Sequence, residues 1–129
     1  MSTRAVITFI DKHERFAIYR HGDGYPDGEH GAVESIKKAF PFAWPLNETG
    51  PMSFNRFEPR DFSAAYVRAN KNGPGDIYLT TSAEDHGDLA YSYEVRFVST
   101  MKYIGLEVKI FDADGDLIET HVIETVKRS

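Results

Sequence analysis

The chain contains no cysteine. That excludes disulfides, a thiolate nucleophile and a cysteine-ligated zinc site, and it fits a reducing compartment. Positive charge is also scarce: 15 Lys and Arg stand against 20 Asp and Glu, for a formal net charge of -5. Broad binding to DNA, RNA or anionic lipid takes clustered Lys and Arg, so the balance points away from all three. The scarcity is sharpest in two stretches. From Asp76 to Glu94 there are five acidic residues and no Lys or Arg, and from Asp112 to Glu124 there are five more and again none. No apolar run is long enough to span a bilayer, and no signal-peptide h-region follows Met1. The expectation is a cytoplasmic protein with no membrane partner.

What is present suits one folded domain. The 129 residues are 41% hydrophobic and 27% charged, with nine Phe, seven Tyr and one Trp. Aromatics bury large areas, so a compact core is within reach at this length. Ala5, Ile7 and Phe9 alternate with Val6, Thr8 and Ile10, which suits a central strand with two apolar faces. Asp11 to Glu14 is a polar turn, and Arg15 to Arg20 reads as the returning strand. After Gly28 the period shifts to that of a helix, with Val33, Ile36 and Phe40 on one stripe. Pro41 ends it at or before Phe40. Residues 41–57 read as an irregular loop rich in proline and aromatics, either a lid over the core or a contact surface. Pro59 opens a second helix with Phe62, Ala65, Tyr66 and Ala69 on one stripe, closed by Asn70 to Gly75. Ile77 to Thr81 is a short strand.

The last third alternates most cleanly. Tyr91 to Phe97, Ile104 to Phe111 and Leu117 to Val126 read as an antiparallel meander. The expected fold is a single α+β domain over 1–129, an antiparallel sheet of about five or six strands with two helices on one face. Asp112-Ala113-Asp114-Gly115-Asp116 resembles a calcium loop only superficially. An EF-hand needs Gly at its sixth position and Glu at its twelfth, so a hairpin turn is expected there instead.

One stretch draws the chemistry together: Tyr19-Arg20-His21-Gly22-Asp23-Gly24-Tyr25-Pro26-Asp27-Gly28. Its glycines allow side chains and N–H groups to converge on a ligand. Arg20, His21, Asp23, Tyr25 and Asp27, with Trp44 from the later loop, are the candidate binding residues. Tyr25 and Trp44 are the candidate anchors, since Tyr and Trp dominate interface hot spots; they equally suit residues that close one end of the core. The tripeptide of residues 21–23 recurs as His86-Gly87-Asp88. If the two loops meet, His21, Asp23, His86 and Asp88 form a divalent-metal site of the kind zinc, manganese or iron takes. The alternative is a pair of polar turns with local Asp capping. No serine sits in a recognisable nucleophile motif, and no cofactor is called for apart from that metal.

Ser2-Thr3-Arg4-Ala5, the Tyr19 to Pro26 block, Gly75-Asp76-Ile77-Tyr78, His86-Gly87-Asp88 and the Tyr-rich strand at 91–95 together resemble a group of small phage and prophage proteins of unknown function. Gly22 stands where that group often has Trp. The resemblance implies a mobile-element origin and a bacterial cytoplasm. It implies no activity. By analogy, the leading expectation is a non-enzymatic accessory protein that binds and inhibits a host protein or complex, an anti-CRISPR or other anti-defence protein. Two alternatives stand beside it: a small-ligand or nucleotide binder using the 20–30 loop, and a metal-dependent hydrolase at the paired His-Gly-Asp loops.

Overall fold

The computed structural model describes residues 3–44 and 57–127, with side chains through Glu124. Most of the expected 41–57 loop, including Met52 and Phe54, lies outside the described residues. The elements run β1 Ala5–Ile10, β2 Arg15–Arg20, α1 Ala32–Lys38, α2 Phe40–Ala43, α3 Pro59–Asn70, β3 Ile77–Thr80, β4 Tyr91–Ser99, β5 Tyr103–Phe111 and β6 Leu117–Lys127. The six strands form one sheet in the order β3-β2-β1-β4-β5-β6. This is an α+β domain.

The β1–β2 hairpin turns on Asp11, whose carboxylate accepts the N–H groups of His13 and Glu14, both at 2.8 Å. Those two backbone bonds hold its carboxyl below the ordinary aspartate value. β1 lies at the centre, and its two-sided apolar pattern is used on both sides. Ala5, Ile7 and Phe9 face the helices and are fully buried, while Val6 is fully buried on the other face. Phe62, Ala65 and Tyr66 of α3 lie over β1 and β2 as the 3.6-residue stripe requires. Phe9 meets Phe62 at 5.0 Å and Tyr66 at 5.7 Å between ring centres.

Pro41 does two jobs. It follows the end of α1 at Lys38, and it sits in the first turn of a second short helix, α2, where its missing N–H costs nothing. That second turn swings Trp44 onto Phe40 and Phe62. Trp44 is 6% exposed and also meets Phe57, so it closes the core on the helix side.

One pair of strands departs from the expected antiparallel order: β1 and β4 run parallel, with Ala5 opposite Tyr91 and Ile10 opposite Arg96. The cause is connectivity. β3 docks on the outer side of β2, which leaves the far edge of β1 open. To reach that edge from β3 the chain must cross β2 and β1, and it does so over the face opposite the helices. Ala83 and Leu89 of this crossing pack on Val6, Ala17 and Tyr19 to make a small second core. The crossing begins with a 3-10 turn, Ala83–Asp85, capped by the Ser82 hydroxyl. The meander β4–β5–β6 is antiparallel throughout, as the alternation indicates. Among the described residues, no helix is long and apolar enough to cross a membrane.

Candidate functional site

The first His-Gly-Asp loop leaves β2 and is tied down through its backbone. The His21 N–H donates to the Asp76 carbonyl at 2.9 Å, and the Gly24 N–H to the Thr3 carbonyl at 2.8 Å. The buried Tyr93 hydroxyl donates to the Gly24 carbonyl at 2.5 Å. Burial drives the Tyr93 phenol far above its ordinary value, with smaller upward pushes from Tyr91, Tyr66 and Asp27 outweighing Arg20, so it stays a donor. Gly24 is needed for close approach: a Cβ there would sit 2.7 Å from both the Ala5 Cβ and the Thr3 carbonyl oxygen. Further on, the N–H groups of Ala32 and Val33 donate to the carbonyls of Tyr25 and Pro26. Two free donors of the α1 N-terminus are thus satisfied by the loop itself.

Arg20 is part of the same framework. Its guanidinium donates to the Tyr66 hydroxyl at 3.1 Å, the His30 carbonyl at 3.2 Å and the Asp23 carbonyl at 3.3 Å. Tyr66 is bonded in turn to Ser35, whose hydroxyl donates to the Ala32 carbonyl. Burial raises the Tyr66 phenol above its ordinary value despite Arg20 and Ser35. Asp23, at φ 56°, is exposed and accepts from the Tyr25 hydroxyl at 3.3 Å. Asp27 is exposed, and Tyr25 is half-buried. The hollow beside this loop, lined by Arg20, Gly22, Asp23, Asn70, Asn72 and Asp76, holds about 130 Å³. Small-molecule sites are commonly about 300 Å³ or larger.

The second loop lies on the other face of the sheet, in the crossing from β3 to β4. His86 stacks on Tyr19 with ring centres 4.4 Å apart and planes 14° apart. Its Nε2 is bonded to the Thr80 hydroxyl at 2.9 Å. The Tyr19 hydroxyl is bonded to His21 Nδ1 at 3.1 Å. Tyr78 completes the group, 4.8 Å from Tyr19. Both His-Gly-Asp loops therefore end on one tyrosine. Burial raises the Tyr19 phenol above its ordinary value, Arg4 opposes this, and Asp88 adds to it.

The aspartates of the two loops go elsewhere. Asp88 pairs with Arg4, and Asp23 takes the Tyr25 hydroxyl. No three ligand atoms of His21, Asp23, His86 and Asp88 come within 4.8 Å of one another. Among the described residues only Asp112, Asp114 and Asp116 do so. Those three sit in the β5–β6 turn, where the Asp112 carboxylate accepts the N–H groups of Asp114 and Asp116. The hairpin expected from the sequence is what forms. Thr80 and His86 are a hydroxyl–imidazole pair, but among the described residues no carboxylate orients the other ring nitrogen, as a catalytic triad requires.

The crossing also encloses a polar groove of about 430 Å³ on the uncovered face, lined in part by Thr8, Arg15, Ser82, Glu84, Ser92 and Glu94. Sequence reasoning singled out none of these. Their only signal is the polar half of the β1 and β4 alternation, which says that a side chain faces away from the core and not what it faces. At the free edge of β3, Tyr78 is 43% and Leu79 70% exposed. In the crossing that follows β3, Glu84, Asp85 and Asp88 are exposed. Set against family models, curated proteins and solved structures, the chain has no match in any of the three.

Proposed function

We propose that this protein is a non-enzymatic accessory protein of a phage or mobile element that binds and inhibits a host protein in the bacterial cytoplasm, with defence complexes of the CRISPR kind as the partner class. The observation that supports a binding role is the edge of β3. Two large apolar side chains, Tyr78 and Leu79, stand exposed on a strand with no described neighbour on its outer side. An acidic loop with no Lys or Arg flanks them. A free edge accepts an extended segment by main-chain pairing, and exposed apolar side chains beside it supply contact area. The flanking carboxylates select a basic partner. The first loop supports this reading in a different way, as the frame that holds β2 and β3 in place.

The test is capture from bacterial lysate on the immobilised protein, compared with a Tyr78→Ala/Leu79→Asp variant. Capture of a defined host complex by the parent, lost in the variant at an unchanged melting temperature, supports the reading. A companion assay plates phage on cells with active CRISPR immunity. Expression of the parent raises plating efficiency and expression of the variant does not. Equal plating with and without the parent would remove the anti-CRISPR assignment.

A further inference from the structure

β6 forms the other edge of the sheet, and no described strand pairs outside it. Its exposed start carries Leu117 at 53% and Ile118 at 52%. Long edges with apolar side chains pair with other strands unless something blocks them. The sequence here has a symmetry that bears on what pairs. Leu117-Ile118-Glu119-Thr120-His121-Val122-Ile123 is a chemical palindrome about Thr120: apolar with apolar, acid with imidazole, threonine with itself.

We propose that the β6 edge is a self-recognition surface, on which a second copy of this chain pairs antiparallel about a two-fold axis at Thr120. An isologous contact of this kind places each residue opposite its mirror position. Glu119 of one copy lies opposite His121 of the other, a pair that occurs twice, and Thr120 lies opposite Thr120. Direct cross-strand pairs of these kinds stabilise a sheet, and like charges directly opposite destabilise it. Glu119 and His121 stand opposite Ile110 and Val108 of β5, so both project from the same face and meet their mirror partners on one side. Neighbouring registers lose the match. A two-fold at residue 119 sets Glu119 against itself. One at residue 121 sets His121 against itself and Glu119 against Ile123.

The ladder has a defined end. A register shift between Ile110 and Phe111 marks a bulge opposite Leu117 to Glu119. The extra residue is Ile118, which has no partner on β5, so the regular ladder starts at Glu119 and Asp116 is not carried into position against Glu124 of the other copy. Three paired residues bury less than the roughly 1,200 Å² of total surface typical of stable complexes. The association is therefore weak and concentration-dependent. It does not involve the β3 edge and stands independently of the partner proposed there.

Sedimentation velocity over a wide concentration range tests the register. The parent chain self-associates, and His121→Glu, which sets Glu against Glu twice, weakens association by about tenfold. Glu119→His sets His against His and also weakens it. An equimolar mixture of the two variants restores association, because each glutamate then meets a histidine across the two-fold. Both substituted side chains lie on the sheet edge, and melting curves confirm folding before the mixture is read. A parent that stays monomeric at the highest concentrations overturns the proposal. So do variants that associate as the parent does, or folded variants whose mixture gains nothing over each alone.

Discussion

His21-Gly22-Asp23 and His86-Gly87-Asp88 are spelled alike and both end on Tyr19, yet they belong to different kinds of structure. The first is held by backbone: its carbonyls and N–H groups are bonded to Thr3, Tyr93, Asp76 and the first turn of α1. The second is held by side chains, through a ring stack, one hydroxyl bond and one exposed ion pair. A tripeptide sets local flexibility and a set of donors and acceptors. Whether it becomes frame or surface depends on what the neighbouring strands bring to it. Backbone bonds in a buried frame are hard to give up, whereas a crossing held by exposed side chains opens at lower cost.

The glycines break the comparison most strongly. Gly24→Ala forces a methyl into the Ala5 and Thr3 backbone, where the nearest atoms lie 2.7 Å away and one of them is main-chain oxygen. Overpacking of this kind costs about 1–3 kcal/mol. For a domain of this size that lowers the melting temperature by roughly 3–12 °C. Gly87→Ala in the second loop meets nothing within 4 Å and leaves the melting temperature within about a degree or two. Equal effects from the two substitutions would mean that the first loop yields as readily as the second.

How much of this was legible beforehand follows from range. The meander was, because β4, β5 and β6 are joined by short turns and each carries its own period of two. The helix stripes were, because residues three and four apart share a face whatever lies beyond them. The parallel pairing of β1 with β4 was not: Ala5 and Tyr91 are far apart in the chain, and nothing local specifies that the β3–β4 connection crosses the open face. The second short helix was hidden by Pro41, which stops α1 and starts α2 with the same missing N–H. The stretch around the first loop stood out by composition, but composition does not separate glycines that admit a ligand from glycines that admit the protein's own backbone. That Tyr19 receives both histidines depends entirely on where the crossing falls.

Asp76 sharpens the comparison from the acid side, with a smaller effect than Gly24. Its carboxylate accepts the N–H groups of Asn72, Gly73 and Ile77 at 2.7, 3.0 and 2.8 Å, and its carbonyl takes the His21 N–H. Partial burial pushes the carboxyl up, but these bonds and Lys71 outweigh it and hold it below its ordinary value. A depressed folded-state value means that the stabilisation is present above the unfolded value of about 4 and is lost as the pH falls through the folded one. Asp76→Ala therefore costs about 1–2 kcal/mol near neutral pH, from hydrogen bonds removed, and its deficit shrinks as the pH drops below about 4. Urea unfolding of both chains across that window measures it. A deficit that stays constant down to the lowest pH would show that the carboxylate is not what holds the turn that leads into β3.

The smallest effect falls on the second loop and is the most discriminating. His86→Ala removes the stack on Tyr19 and the bond to Thr80. A ring contact of this kind with one part-buried hydrogen bond contributes about 0.5–1.5 kcal/mol. Global melting registers this weakly, but local opening registers it directly. Residues 82–90 are otherwise tied down mainly by Ala83 and Leu89 on the small second core, by Asp88 with Arg4, and by the Ala90 N–H on the Arg4 carbonyl. Amide exchange through the crossing then speeds up in the variant, while exchange of Ala32 and Val33, whose N–H groups are held by the first loop, keeps the parent rate. His21→Ala, which removes one bond from an exposed ring, changes neither set by more than a small factor. Because both histidines contact Tyr19, the outcome also shows whether that tyrosine couples the two loops. Faster exchange at Ala32 and Val33 in the His86 variant would mean that the disturbance passes through Tyr19, and that frame and crossing open as one unit.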